Sequence, residues 1–446
     1  MQINVLVSHI EAPRHEFAKV VIHSPGARYP TVLDLYFSKI REYCRESSTV
    51  TLDFLFLSSI VYVIDKVILR NIARDNWTRD IELNLPISNL GLWATLNRHL
   101  ELALSFLSGD NWRINFSQLQ RRLIRPLERR WGLFIGRSFH ADAICLFSGG
   151  LDSLVGAIDW LETNQEENIL LVSHYDGDIS GPHADQDRLF QILKTQYGQR
   201  VMSLKVRVGQ KPPGMEPSFR CRSLLFIALG IYAAQAKGEE VPLLIPENGT
   251  ISLNIPLTPS RRGSCSTRTA HPFFLNTIRQ ILSELAIRNP LINPLECKTK
   301  GECVEQCLDL VLLRRAALES VSCAKRGHKI HWLRSAKGCG FCIPCIFRRA
   351  ALQKANLDIE AYGRDICKDE VDLDYPGEIA NDFRALISLL RKNLSREDIA
   401  SLLLTNGSID IPLLPRYADL IFRALNEVRD FLSSKGSAKI KRLAGL

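Results

Sequence analysis

The segment Leu146-Phe-Ser-Gly-Gly-Leu-Asp-Ser153 constrains this chain more than any other stretch. It sits between a short apolar run, 143–147, and a helical pattern that continues through Leu161. Apolar run, paired glycines and helix start together read as a strand–turn–helix unit. Glycine lets the backbone approach a ligand with no side chain in the way. The following helix offers unpaired N–H groups and the positive end of its dipole, which suits a phosphate. Ser148, Gly149, Gly150, Leu151, Asp152 and Ser153 are therefore the expected phosphate-binding residues, the two serines adding hydroxyls. Asp152 is placed either to hold a magnesium ion or to cap the helix. A Walker loop would carry Gly-Lys-Ser/Thr here, and this loop has no such lysine. It is expected to hold a phosphate that leaves as pyrophosphate, not a transferring terminal phosphoryl group.

The surrounding rhythm supports a layered fold. After 143–147, apolar runs recur at 169–173, 202–208 and 243–245, with helical patterns over 224–234 and 273–285. Strand–helix alternation of this kind predicts an α/β domain with a doubly wound parallel sheet. Ligands of such sheets bind beyond the carboxyl ends of the strands. Upstream, 50–68 reads as a buried helix and 76–86 as a strand closed by Pro86. Downstream, 375–446 reads as helices, with Ser395 an N-cap ahead of Glu397 and Asp398, and a basic tail at the end. The expected organisation is a mixed N-terminal domain over 1–138, a nucleotide domain over 139–350 and a helical C-terminal extension over 351–446.

Composition removes other classes. With 446 residues, 46% hydrophobic and 24% charged, the chain is long and apolar enough for two or three packed domains, which excludes disorder or a fibre as its main state. The longest apolar stretch, 54–64, contains Ser58 and Ser59 and is too short for a membrane span of about 20 residues. The start lacks a basic then apolar leader, so a soluble, cytoplasmic protein is expected. The net charge of +9 fits a phosphate-bearing substrate and equally a solvated surface. Arg113, Arg121, Arg122, Arg125, Arg129 and Arg130 form a patch that reads as a solvated or subunit-contacting face in preference to a nucleic-acid face.

Twelve cysteines are too sparse for a disulfide scaffold. Three of them, in Cys339-Gly-Phe-Cys342-Ile-Pro-Cys345, stand at two-residue gaps, and fifteen residues separate Cys323 from the first. Such gaps turn consecutive thiolates onto one ion, and a fourth completes a tetrahedral site. The reading favours a structural zinc over an iron–sulfur cluster of similar spacing. Gly338 and Gly340 supply the turn, while Cys297, Cys303 and Cys307 read as helix-packing residues.

The Ser-Gly-Gly-x-Asp-Ser string is similar to the PP-loop of the N-type ATP pyrophosphatases. With Cys-x15-Cys-x2-Cys-x2-Cys-x2-Arg348 downstream, the chain resembles the 7-cyano-7-deazaguanine synthase (QueC) family over roughly residues 140–350. Arg222-Ser223 looks like that family's Arg-Asn pair, and 293–302 resembles the segment ahead of its zinc region. Two stretches depart from the pattern: His174-Tyr-Asp-Gly177 with Gln186 further on, and Pro246-Glu-Asn-Gly249 with Ser266-Thr-Arg-Thr-Ala-His271. The long flanking regions resemble the larger QueC-like proteins of bacterial antiphage defence, the QatC type of the Qat system.

This resemblance implies a PP-loop fold of the HUP-like kind, with ATP, Mg2+ and Zn2+ as cofactors. It implies adenylation of the carboxylate of 7-carboxy-7-deazaguanine, release of pyrophosphate and attack by a nitrogen nucleophile. That nucleophile is ammonia, giving amide and then nitrile, or an amine of a partner protein. The reaction needs magnesium and fixed cations near the developing oxyanion. Arg222, Arg268 and Lys300 are the candidates for those cations, beside Asp152. Glu247 and Asn248, after a strand end, are candidates for reading guanine-like N–H groups.

The expected partners are the small 7-deazaguanine substrate and partner proteins of a defence operon, with a homodimer left open and neither membrane nor nucleic acid expected. Trp77, Trp93, Trp112 and Trp131, with the arginine patch, give the N-terminal region two readings: a face that docks a partner protein together with the C-terminal helices, or an extra domain that enlarges the core. Two other readings stay open: a tRNA-modifying PP-loop enzyme, and a nucleotide-sensing subunit without catalysis.

Overall fold

The computed structural model describes residues 1–8, 16–25, 29–44, 47–126, 139–176, 182–217, 220–257, 268–325, 336–373 and 380–446. Arg129, Arg130, Trp131, Gly177, Ser266 and Thr267 lie outside these residues. The chain opens with β1 (Gln2–Val7), β2 (Val20–His23) and β3 (Thr31–Leu35), each antiparallel to the next. After the short α1 (Phe37–Arg41) comes α2 (Thr49–Val67), the helix expected over 50–68. Every residue from Thr51 to Lys66 is buried, because a helix apolar nearly all round belongs inside a core. The Ser48 hydroxyl caps it by accepting the Thr51 N–H at 3.2 Å.

β4 (Asp80–Ile87) alternates buried and half-exposed residues, then α3 (Leu90–Trp93), α4 (Asn97–Ser108) and β5 (Asn111–Gln118) complete the N-terminal part. β4 does not stop at Pro86, which lies opposite Ser117 in the parallel pairing with β5. Trp93 and Trp112 are core residues, not parts of a docking face. Trp77 is exposed, with the Arg220 guanidinium 4.2 Å from its ring centroid. Arg113, Arg121 and Arg122 are exposed.

From residue 143 the expected alternation is present: β6 (Ala143–Leu146), α5 (Leu151–Thr163), β7 (Ile169–Tyr175), α6 (Pro182–Tyr197), β8 (Val201–Lys211), α7 (Arg222–Lys237), β9 (Leu243–Leu244), α8 (Gly249–Leu253), α9 (Pro272–Glu284) and β10 (Leu291–Ile292). Successive residues of β6 and β7 face opposite sides. Ile144, Leu146, Leu170 and Val172 pack with α2, α7 and α9, whereas Ala143, Cys145, Ile169 and Leu171 pack with α5 and α6. Both faces of this half are therefore covered.

The sheet order is β10-β9-β6-β7-β8-β3-β2-β1-β4-β5. Six of the nine neighbouring pairs are parallel and three antiparallel, so the ten-stranded sheet is mixed and mostly parallel, not parallel throughout. β3 joins the two halves by pairing antiparallel with β8, from Val32 opposite Lys211 to Leu35 opposite Val208. Residues on either side of 138 thus belong to one sheet.

The rest is helical: α10 (Lys300–Glu305), α11 (Leu310–Ala317), α12 (Ile343–Lys354), α13 (Asn381–Arg391), α14 (Arg396–Leu404), α15 (Leu414–Lys435) and α16 (Ala438–Ala444). Ser395 caps α14 in a capping box with Asp398. α13 to α16 share a core with the cysteine cluster. Among the described residues no helix is long and apolar enough to cross a membrane.

Candidate functional site

Chain order places a switch between β6 and β9. From β6 the chain runs outward through β7 and β8, then returns to place β9 on the other side of β6. The loops beyond the carboxyl ends of β6 and β9 therefore diverge, which makes the crevice where open α/β sheets bind ligands. Ser148 to Ser153 follow β6, and Glu247 and Asn248 follow β9.

Gly149 has φ +84°, a left-handed conformation that glycine adopts without strain. Its neighbour Gly150, not Asp152, is the N-cap of α5. The Gly150 N–H donates to the Ser148 hydroxyl at 3.3 Å, and the Ser153 hydroxyl donates to the Gly150 carbonyl at 3.0 Å. A distant segment closes the loop from outside. Val321 N–H donates to the Gly149 carbonyl at 3.0 Å, and the Ser322 hydroxyl accepts the Leu151 N–H at 3.4 Å. Gln186 is buried, and its amide donates to the Ser148 carbonyl at 3.3 Å.

Freed from capping, the Asp152 carboxylate takes two partners. Lys300 Nζ lies 2.6 Å from Oδ1, and Asn248 Nδ2 donates to Oδ2 at 2.7 Å. Asn248 also caps α8, its Oδ1 accepting the Ile251 N–H at 3.1 Å. Both ends of its amide are occupied within the chain. Glu247 is anchored by backbone bonds, its N–H to Asn293 Oδ1 at 3.2 Å and its carbonyl from Asn293 Nδ2 at 2.8 Å. Burial, then the charge of Asp152, pushes its carboxyl up to about 7, with Lys300 opposing. Asp152, Lys300, Asn248 and Glu247 are thus brought together.

Arg222 stands one strand over, at the end of β7. Its Nε donates to His174 Nδ1 at 3.2 Å and its Nη2 to the His174 carbonyl at 3.1 Å. His174 Nε2 lies 2.9 Å from the Val208 carbonyl, an acceptor, so the ring proton is on Nε2 and Nδ1 is the lone pair facing Arg222. Burial, then Arg222 itself, depresses this imidazole to about 3. Beside it, the Tyr62 hydroxyl of α2 donates to Asp176 Oδ2 at 2.8 Å, so the N-terminal region reaches this edge. Arg268 has a different setting. Its Nη1 donates to the Phe106 carbonyl at 2.7 Å and its Nη2 to Asn406 Oδ1 at 3.3 Å, bonds that tie α4 to the C-terminal helices.

The four expected cysteines converge. The Sγ atoms of Cys323, Cys339, Cys342 and Cys345 all lie within 4.8 Å of one another, and Cys339 and Cys345 are 3.9 Å apart. Tetrahedral bonds of about 2.3 Å require sulfur separations of about 3.8 Å, so the set could hold a metal ion such as zinc. The Cys342 N–H points at Cys339 Sγ (3.3 Å) and the Cys339 N–H at Cys323 Sγ (3.4 Å). Gly340 turns the knuckle at φ +87°, where a Cβ would stand 2.1 Å from the Arg364 carbonyl. Arg348 is buried. It donates to the Ser320 hydroxyl at 2.8 Å and the Ala317 carbonyl at 2.7 Å, and pairs with Glu360. Residues 320–323 thereby touch Arg348, the loop and the cysteine cluster in succession. Of the three remaining nearby cysteines, Cys303 packs within α10, whereas Cys297 precedes that helix and Cys307 follows it.

Tyr62 and the Val321 and Ser322 contacts carry no local signal for a role at the loop, and His174 and Gln186 are marked in the sequence only by standing where it departs from the family's pattern. No family model, no curated protein and no solved structure matches the chain.

Proposed function

We propose that the chain is an ATP pyrophosphatase-type ligase resembling QueC, acting on the carboxylate of 7-carboxy-7-deazaguanine in antiphage defence. The observation that carries this reading is the meeting of Asp152 and Lys300 at a glycine loop on the sheet's switch point. A substrate carboxylate oxygen attacks the α-phosphorus of ATP, and the bond to the departing pyrophosphate breaks. A nitrogen nucleophile then attacks the acyl carbon, AMP leaves with the bonding electrons, and the nitrogen loses a proton. With ammonia the product is the amide; a second adenylation, on the amide oxygen, leads to the nitrile.

The loop binds phosphate through the first turn of α5, and Lys300 supplies fixed positive charge beside it. Each Asp152 oxygen accepts one bond, from Lys300 or Asn248, and keeps a further lone pair through which it would hold Mg2+, which neutralises phosphate charge when bound. With the Asn248 amide occupied, Glu247 is the residue of that pair left to read the heterocycle's N–H groups. The cysteine set would hold one structural zinc. The defence assignment is supported by the regions that flank 139–350 and by their resemblance to the QatC type.

Product analysis by mass spectrometry after incubation with ATP, Mg2+ and 7-carboxy-7-deazaguanine, with and without ammonia, tests the reading. AMP, pyrophosphate and the amide or nitrile are expected, whereas ADP and phosphate overturn it. If adenylate forms but ammonia gives no product, the intact masses of co-expressed operon proteins test for a partner amine as acceptor. Salt-sensitive tRNA binding would favour an RNA-modifying enzyme, and ATP binding without turnover a sensing subunit.

A further inference from the structure

One face of α15 touches both segments that hold Asp152. Tyr417, Leu420, Arg423 and Glu427 recur at intervals of three, three and four, which aligns them on a helix. Tyr417 donates to the Glu296 carboxylate. Leu420 lies against Gly249, where a Cβ would come 2.5 Å from its Cδ1. Arg423 grips Glu302 with two bonds, Nε to Oε1 at 2.7 Å and Nη2 to Oε2 at 3.2 Å. Glu427 accepts the Thr299 hydroxyl and the Gly301 N–H, the latter at 3.1 Å.

These last contacts fall on the first turn of α10, which opens with Lys300. Thr299 and Glu302 already form a capping box there, so Arg423 and Glu427 hold that box from outside. The fit is close: a Cβ on Gly301 would stand 2.4 Å from the Glu427 carboxyl group. Lys300 is 3% exposed, so its ammonium cannot drift to solvent without moving α10. The other partner of Asp152, Asn248, precedes the Gly249 on which Leu420 rests.

We propose that α15 is the positioning element of the loop site. Glu427, aided by Arg423, sets Lys300 against Asp152, and the C-terminal extension thereby governs the charge presented at the loop. What the loop binds rests on the function proposed above; the brace itself does not.

Pulsed acetylation of the full-length protein with acetic anhydride, read by peptide mass spectrometry, tests the brace without any ligand. Lys300 should be protected in the wild type relative to exposed Lys392. In Glu427→Ala it should react about tenfold faster or more, the opening expected from losing a hydrogen bond to a charged group. Glu427→Gln, whose one oxygen can still accept the Gly301 N–H while its NH2 donates to the Thr299 hydroxyl, should restore most of the protection. Arg423→Met should show a smaller rise, and carries the same test should the alanine variant be insoluble. Pyrophosphate release should follow, with kcat falling about tenfold in Glu427→Ala and recovering in Glu427→Gln. Unchanged Lys300 labelling in a folded variant overturns the brace. Labelling that changes as expected in a protein whose wild type releases no pyrophosphate leaves the brace standing and sinks the proposed reaction.

Discussion

Asp152 and Lys300 are 148 residues apart in the chain and meet across 2.6 Å. The lysine is buried and the carboxylate nearly so, at 4% and 16% side-chain exposure. Asp152→Asn keeps the shape and an oxygen for the ammonium, but it removes the negative charge and turns an NH2 toward the Asn248 NH2 that Oδ2 now accepts. It should cost about 1.5–3 kcal/mol of stability, the range for a hydrogen bond to a charged group, and abolish magnesium-dependent AMP formation. Thermal melts paired with pyrophosphate release check this. A variant with wild-type turnover would remove Asp152 from the chemistry.

That pair also marks where the sequence was legible. Asp152 belongs to a local string whose glycines and flanking strand define it, and the cysteine spacing is equally local. Apolar runs and helical periods located β6, β7, β8, β9, α2, α7 and α9 to within a few residues, because buried faces impose their period on the chain. Pairing between distant strands leaves no such mark: nothing around Val32 or Lys211 announces that β3 and β8 join two regions into one sheet. Trp93 and Trp112 allowed both a docking face and a core, because residue type alone does not say which side of a fold it faces. Arg268, a candidate cation by resemblance, bonds instead to α4 and to Asn406 beyond α14. Glu427 has no motif at all; its place on α10 is visible only once α15 is packed.

The cysteine cluster should contain about one zinc per chain by elemental analysis. Because thiolate–zinc bonds contribute directly to folding, Cys342→Ser should yield unstable or insoluble protein. Gly340→Ala should weaken metal retention, since its side chain would meet the Arg364 carbonyl from a left-handed backbone. Residues 321 and 322 bond to the loop next to Cys323, so chelation should also depress ATP binding. Iron with labile sulfide would identify a cluster instead.

His271 is fully buried, its Nδ1 accepting the Phe273 N–H at 3.2 Å and its Nε2 without a partner among the described residues. Burial, then Arg268, lowers its imidazole to about 4, below the ordinary 6.5. The unfolded chain therefore binds the proton more readily. His271 contributes its full stability above pH 6.5 and loses it as pH falls toward 4, by at most about 2 kcal/mol at pH 5. His271→Asn keeps a capping oxygen and removes the titration. The melting-temperature gap between wild type and variant should narrow from pH 7.5 to pH 5, and a constant gap would contradict the assignment.

Glu247 titrates with the opposite sign. Its carboxyl rises from the ordinary 4.5 to about 7. In the ligand-free protein its contribution to stability is complete below pH 4.5 and is lost as pH rises through 7. Substrate binding should move the other way, because an ionised carboxylate accepts two N–H bonds from a guanine-like edge and a protonated one also carries a donor facing those N–H groups. From pH 6 to pH 8 the wild type should lose on the order of 2 °C of melting temperature relative to Glu247→Gln. Over the same range its KM for 7-carboxy-7-deazaguanine should fall, while the KM of the variant stays flat. Opposed trends that both vanish in Glu247→Gln place the residue at the heterocycle. A KM profile identical in the two proteins would leave it as a structural acid under the turn after β9.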